Sequence, residues 1–265
     1  MKKKQEIKYF HKEWKQMNNH LEAFLATGDQ EQLHKFRVQI KKLRAMLNLV
    51  EHTSHQPRLL REFKPVRKIF KYAGNIRDAY TNLLLSERYQ LKNEAFETGQ
   101  QKIIADGIVE FQLHGKKYLK SLKNSYKLLK KQLPKVDDDA IADFYKNQLE
   151  DIAAKLQGGN FDDEMHDNRK LLKILVYNQR LAGSALGSLH LNAGYLDKLQ
   201  KAIGDWHDNI VAAKLFSSPE LNDLPVVKKI NKKNAGVRLN ITKLANNFIK
   251  KATEAEVAEI ASPAL

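Results

Sequence analysis

Apolar residues recur at intervals of three and four along almost the whole chain, which is the period that buries one face of an α-helix. Strand-like alternation is nearly absent, and the chain has only 12 Gly and 6 Pro. The sequence therefore predicts an all-α fold. Eight helices are expected, at residues 3–26, 30–52, 58–96, 101–132, 137–156, 162–189, 194–216 and 220–259.

Turn and capping residues mark the expected helix ends. The first helix should close at residues 27–29 (TGD), the fourth at Pro134 and the fifth at residues 158–160 (GGN). The acidic run at residues 137–139 is typical of a helix N-terminus. Residues 74–75 (GN) predict an interruption of the third helix.

Two short motifs occur twice in the same order. Residues 34–37 (HKFR) match residues 166–169 (HDNR), and Lys41 and Lys173 follow each histidine by seven positions. Residues 74–78 (GNIRD) match residues 204–208 (GDWHD) at nearly equal spacing. Two motifs in register indicate an internal duplication. We therefore expect one domain, 1–265, built from an N-terminal half, 1–133, and a C-terminal half, 134–265, with four helices each.

The first motif places basic groups in a row on the second helix. His34, Arg37, Lys41 and Arg44 fall within an arc of roughly 80°, and Lys42 lies off this row. A separate arc of roughly 100° is apolar and predicts the core-facing side; its members are Leu33, Phe36, Ile40, Leu43, Leu47 and Val50.

The second copy repeats the row with fewer charges. His166, Arg169, Lys173 and Arg180 share one face of the sixth helix, whereas Ile174 and Val176 stand where the first copy has Lys42 and Arg44. The N-terminal half is therefore expected to contribute more binding energy to an anionic ligand.

Further basic stripes follow on the third and fourth helices. Lys64, Lys68 and Lys71 form the first of them, and the second contains Lys116, Lys120, Lys123, Lys127 and Lys130. A solvated helix surface is the alternative reading, and it has most weight for the fourth helix because lysine is flexible and strongly hydrated.

The second motif has two interpretations. Arg77 and His207 lie at the edge of apolar helix faces, where a partly buried cation requires an acceptor. Asp78 and Asp208 either form ion pairs that fix helix packing or orient basic groups of a neighbouring helix.

Composition favours a polyanionic partner. The chain carries 46 Lys and Arg against 31 Asp and Glu, a formal charge of +15, and an anionic ligand relieves the self-repulsion of such a fold. Arg donates two hydrogen bonds to one phosphate, and Lys adds a mobile charge. Because few aromatic residues interrupt the rows and Phe36 faces the core, reading of nucleic-acid bases is not expected.

Other function classes find little support. The chain has no Cys, no phosphate-binding glycine loop and no metalloprotease motif. Gly183 and Gly187 lie within a helical pattern and are expected to allow close helix packing. His34 and His166 stand among cations, which disfavour a metal ion. We therefore expect neither catalysis nor a cofactor.

No segment reaches the eighteen or so apolar residues of a membrane helix, and charged residues interrupt the N-terminus. A cytoplasmic protein without membrane insertion is expected.

These motifs resemble the CHAD family, the conserved histidine α-helical domain. His34, Arg37, Lys41, Lys42 and Arg44 match its first motif, and Gly74, Arg77 and Asp78 match the segment that follows. In the second copy His166, Arg169, Lys173, Gly204 and Asp208 match, while Ile174, Val176 and His207 depart from the pattern. The resemblance implies two four-helix bundles related by pseudo-twofold symmetry, with basic residues lining a groove or pore that binds inorganic polyphosphate.

The function expected from residues and resemblance together is non-catalytic binding of polyphosphate, with association with polyphosphate granules as one expectation. Nucleic-acid binding through the same faces is the main alternative. A role at an anionic membrane or as a protein scaffold, through the fourth or eighth helix, is a third.

Overall fold

The computed structural model describes residues 3–54, 58–187 and 189–254. Within these ranges every regular element is a helix, which confirms the all-α prediction. The helices are α1 (Lys3–Thr27), α2 (Gln30–Ser54), α3 (Leu59–Glu62), α4 (Lys64–Tyr89), α5 (Glu94–Leu113), α6 (Gly115–Gln132), α7 (Asp138–Gln157), α8 (Asp163–Ala182), α9 (Ala193–Phe216), α10 (Leu224–Ala245) and α11 (Phe248–Thr253), with one 3₁₀ turn at Gly183–Ala185.

The predicted ends of α1, α2, α7 and α9 are correct to within two residues, because recognisable local chemistry sets them. Gly28 has a φ of 70° after α1, a backbone conformation that favours glycine. The Asp137 side chain accepts a hydrogen bond from the Asp139 N–H at the start of α7, and Asp162 does the same for Glu164 at the start of α8.

The outer limits predicted for the third and fourth helices, 58 and 132, are correct to within one residue, but the divisions predicted between them are wrong. α4 runs unbroken through Gly74 and Asn75 and ends only at Tyr89, where Gln90 takes a left-handed conformation. α5 then begins at Glu94, because the Asn93 side chain accepts a hydrogen bond from the Phe96 N–H at 3.0 Å. A further break at His114 separates α5 from α6.

The predicted sixth and eighth helices are also too long. α8 ends at Ala182, and Gly187 has a φ of 57°. A Cβ atom at Gly183 or Gly187 would have no neighbour within 4 Å, so neither glycine serves close helix packing. The last helix begins only at Leu224 and breaks at Asn246–Asn247 between α10 and α11; its expected extension over 255–259 lies outside the described residues.

α2 lies at the centre of the fold. It packs against α1, α4, α7 and α8, and its predicted apolar face is buried at every position: Leu33, Phe36, Ile40, Leu43, Leu47 and Val50. One continuous apolar cluster joins this face to the core around Leu172 and Leu175 of α8. The Asn178 side-chain amide of α8 also donates to the Ala45 carbonyl of α2 at 2.9 Å.

A second, smaller apolar cluster joins the far ends of α4, α9 and α10. It contains Leu85, Ala212, Phe216 and Ile230, and the Tyr89 ring meets the Phe216 ring edge-on at 5.3 Å. Since α4 also packs on α2, α2 on α8, and α8 on α9, these four helices form a closed circuit. Among the described helices, none is long and apolar enough to cross a membrane.

Candidate anion-binding groove

The basic rows of α2 and α8 meet inside the circuit of α2, α4, α8 and α9. Lys173 of α8 lies close enough to Lys41 of α2 for its charge to lower the pKa of Lys41, and Arg37 and Arg169 act on Lys41 in the same way. Desolvation, together with the cations of Lys173, Arg37 and Arg169, lowers the pKa of Lys41 to about 8, against the opposing effect of Asp208. Lys41 nevertheless remains exposed to solvent. A side chain with protein on most sides and access to water lies in an open groove, where water tempers this shift.

Arg37 is held against α4 where that helix has no side chain. Its Nη1 donates to the Phe70 carbonyl at 2.9 Å, and its guanidinium lies 4.1 Å from the centroid of the Phe70 ring. A Cβ at Gly74 would approach the same Nη1 to 3.2 Å. Gly74 thus lets an arginine lie directly on the helix backbone, which explains why the two motifs occur together.

The second copy repeats this contact more tightly. A Cβ at Gly204 of α9 would lie 2.9 Å from both Nε and Nη2 of Arg169. The Arg169 Nε is buried and makes no hydrogen bond with the described residues. Arg169 is therefore positioned by the shape of the α9 surface rather than by a hydrogen bond from its Nε.

The histidines lie where the copies differ. The pKa of His34 is lowered by burial and by the nearby Arg77 cation. In the second copy the imidazoles of His166 and His207 stack with centroids 4.2 Å apart, and the pKa of His166 is lowered by burial and then by His207. Arg77, a permanent cation in the first copy, thus corresponds to the imidazole of His207 in the second copy.

The two aspartates face cations of neighbouring helices. Asp78 lies near Arg37, where its charge favours the protonated guanidinium. Asp208 acts in the same way on Lys41 and Lys173, and its Oδ1 lies 3.7 Å from the His207 Nδ1. The described residues contain no Arg77–Asp78 ion pair; the Arg77 guanidinium lies 5.1 Å from the Tyr80 ring centroid.

Several basic residues expected at the site lie elsewhere. Lys42 points toward α1, where its Nζ lies 3.8 Å from a carboxylate oxygen of the buried Glu13. Arg180 is exposed and lies near the Tyr9 hydroxyl of α1. Lys68 lines a groove beside α6, with Tyr72 and Lys117, on the side of α4 away from Arg37. Lys64 is exposed to solvent, and so is Lys71, which lies four residues after Arg67 and three before Gly74, on the face of α4 that holds Arg37.

One basic residue near the row was missed by the sequence analysis. Arg67 of α4 lies near Arg44, whose pKa is lowered by burial and by the Arg67 cation. The available signal was its spacing, because Arg67 precedes Gly74 by seven residues and so shares its helix face.

The arrangement offers cations and hydrogen-bond donors rather than metal ligands. Within the described residues, no three His, Asp or Glu side chains are grouped so that they could hold a metal ion. The cavity of about 940 Å³ between α7, α8, α10 and α11 is apolar, lined by residues such as Phe161, Met165 and Phe248. It contains none of the motif residues, so the groove is the better candidate for chemistry.

Comparison with known families agrees with these motifs. The family model named CHAD domain matches residues 8–217, about four fifths of the chain, and that range contains both copies of both motifs. No curated protein shows a significant match to the chain.

Proposed function

The chain belongs to the CHAD family, whose domains are associated with polyphosphate binding, and from that premise we propose that it binds inorganic polyphosphate in the groove between α2, α4, α8 and α9. The role is binding without catalysis, as is general for CHAD domains. A cytoplasmic site of action at polyphosphate granules belongs to the same proposal.

The observation that carries the proposal is the meeting of Lys41 and Lys173 with Arg37 and Arg169 behind them. Four like charges within one concave site raise the free energy of the unliganded protein. A chain of phosphates removes that repulsion and accepts the arginine hydrogen bonds. Asp208 neutralises only part of this charge, so the site retains an excess of positive charge.

The ligand is expected to contact the groove unequally. Arg37, Lys41, Arg77 and His34 supply the N-terminal side, with Arg44 and Arg67 continuing the row. Arg169, Lys173, His166 and His207 supply the other side, where His207 stands in place of the permanent cation Arg77 and no cation stands at the positions equivalent to Lys42 and Arg44. The N-terminal side therefore provides the larger share of the affinity.

The duplicated halves, 1–133 and 134–265, form one binding unit in this proposal. Arg37 on Gly74 and Arg169 on Gly204 are equivalent contacts, and this equivalence supports a pseudo-twofold arrangement around the groove. Each half then binds one of two successive segments of the same polyphosphate chain.

A titration with polyphosphate at about 150 mM salt tests the proposal, with RNA and duplex DNA as competitors. The variant Arg37→Glu with Lys41→Glu should lose at least about tenfold in affinity, because two phosphate contacts become repulsive. The matched control is Lys228→Glu with Lys232→Glu on the exposed side of α10. It changes the net charge equally and should bind almost as the unmodified protein does.

Three outcomes would count against the proposal. Equal losses in both variants would mean that net charge alone drives binding. Unchanged affinity in a folded Arg37→Glu, Lys41→Glu protein would exclude the groove. Displacement of polyphosphate by nucleic acid at matched phosphate concentration would favour a nucleic-acid-binding protein instead.

A further inference from the structure

A second basic surface lies outside the groove, on α6 and the adjoining face of α1. α6 contains seven lysines and no carboxylate, and all seven are exposed. No ion pair within the described part of the chain joins any of them to a carboxylate. We call the outer lysine face the following set: Lys8, Lys12 and Lys15 of α1, and Lys116, Lys120, Lys123, Lys127 and Lys130 of α6.

One lysine of each helix lines a cleft between α1 and α6. α1 and α6 run antiparallel: a Cβ at Gly115 would meet Leu25, the His11 Nδ1 lies 2.9 Å from the Tyr126 hydroxyl, and Lys3 reaches the Leu133 carbonyl. Lys15 and Lys123 therefore line opposite sides of a cleft of about 370 Å³. Glu22 is the one carboxylate among the residues that line it.

The exposed surface of α6 offers charge but little apolar area. Its apolar side chains Tyr118, Leu122 and Leu129 are buried against the protein, and Leu128 is 40% exposed, so α6 presents charge rather than an apolar face to a lipid bilayer. The lysine row from residue 116 to residue 130 is about 21 Å long, at about 1.5 Å per helical residue. Flexible ammonium groups at this spacing suit a flexible chain of phosphates, because each can follow the chain independently.

This face is separate from the groove. Gly74 of α4 contacts Arg37, whereas Lys68 and Tyr72 of the same helix point toward α6. α6 packs against α1, α3, α4 and α5, and the groove is bounded by α2, α4, α8 and α9. A single short ligand in the groove does not reach both surfaces without passing around α4 or α2.

We propose that the outer lysine face is a second polyphosphate-binding surface, so that one molecule holds two separate segments of polyphosphate. This inference rests on the proposed function of the groove. Two binding surfaces on one rigid body raise the effective concentration of a long chain at the second surface and allow the protein to cross-link chains. A short chain occupies the groove alone.

Titration with long-chain polyphosphate, followed by calorimetry and light scattering, tests this inference. The natural protein should bind in a tight step and a weaker, more salt-sensitive step, and scattering should rise with the second. Lys123→Glu with Lys127→Glu should weaken the second step roughly tenfold and abolish the rise, since two phosphate contacts are lost. The tight step should change less than about twofold, because these lysines lie outside the groove.

The groove variant and the α10 control make the outcomes distinguishable. Arg37→Glu with Lys41→Glu should remove the tight step and leave the weak one; if the tight step persists, the groove proposal fails while the outer face is still judged by its own variant. Lys228→Glu with Lys232→Glu should change neither step. The inference would be overturned if the natural protein bound in a single step, or if the weak step were unchanged in the Lys123→Glu, Lys127→Glu variant. It would also be overturned if the control variant lost as much affinity in the weak step, or if duplex DNA displaced polyphosphate preferentially from that step.

Discussion

At the scale of single residues, Lys41 illustrates what a helical wheel does and does not predict. Its place in the basic row follows from its spacing of four from Arg37 and seven from His34. Its proximity to Lys173 does not, because that depends on how α2 packs against α8. The lowered pKa of Lys41 arises from this packing and so could not be read from the sequence.

The pKa of Lys41 leads to a testable dependence on pH. With a pKa of about 8, Lys41 is partly deprotonated in the free protein just above pH 8, and a bound polyanion should restore its proton. Binding at that pH should therefore take up protons, and affinity should fall as the pH rises further. Calorimetry in two buffers of different ionisation enthalpy measures the uptake.

Lys41→Arg is the matched variant for this measurement. A guanidinium keeps its proton throughout this range, so proton uptake should fall while binding persists. Some uptake should remain, because the pKa of Lys173 is also lowered by burial. Uptake equal to that of the natural protein would show that another group is responsible.

In the free protein, stability should rise with pH above about 8, since the unfolded chain holds the Lys41 proton more tightly.

At the scale of helices, the sequence predicted the elements whose ends carry a local signal and misplaced the others. α7 begins at an aspartate cap and α2 follows a glycine turn, and both were located correctly. The break between α4 and α5 depends on one asparagine cap within a continuously helical pattern, and it was predicted several residues too late, at 97–100. The reading of Gly74 as a helix break failed because this glycine accommodates Arg37 from another helix.

The contact between α8 and α9 predicts that stability and binding will change in opposite directions. In Gly204→Ala the new methyl group would displace the Arg169 guanidinium, which is the flexible end of a side chain. Helix propensity favours alanine over an interior glycine by about 1 kcal/mol. Thermal unfolding should therefore be unchanged or shifted upward, while polyphosphate affinity should fall.

Gly236→Ala provides the comparison for Gly204→Ala. A Cβ at Gly236 of α10 has no neighbour within 4 Å, so this variant should gain helix stability with no loss of affinity. If Gly204→Ala bound polyphosphate as strongly as Gly236→Ala, the position of Arg169 against α9 would be irrelevant to binding.

At the scale of the whole molecule, the two predicted halves share one core. The apolar cluster includes Phe36 and Leu43 as well as Leu172 and Leu175, so neither half buries its apolar surface alone. The two copies of the first motif differ at one buried position. Asn168 stands at the position of the buried Phe36, and its side-chain atoms have no hydrogen-bond partner among the described residues. Motif matching predicts the duplication, whereas the shared core became visible only in the packing of α2 against α8.

A shared core should unfold in one transition. The chain has two tryptophans, Trp14 in the first half and Trp206 in the second, so Trp206→Phe and Trp14→Phe leave a single reporter in each half. Leu43→Ala and Leu175→Ala, each made in both backgrounds, should lower stability by about 2–5 kcal/mol. Each should move both fluorescence transitions in urea together. Two separated midpoints would instead describe halves that fold independently.

The contact between Tyr89 and Phe216 has a consequence for kinetics. It joins α4 to α9 and so closes the circuit of α4, α2, α8 and α9; a polymer that passed from the open groove through this circuit would have a helix on each side. We expect such a polymer to enter by threading a free end, or during moments when the two rings separate. The rate of capture should then follow the number of chain ends in solution rather than the total phosphate, and a chain threaded far from its ends should leave slowly however weak each individual contact is.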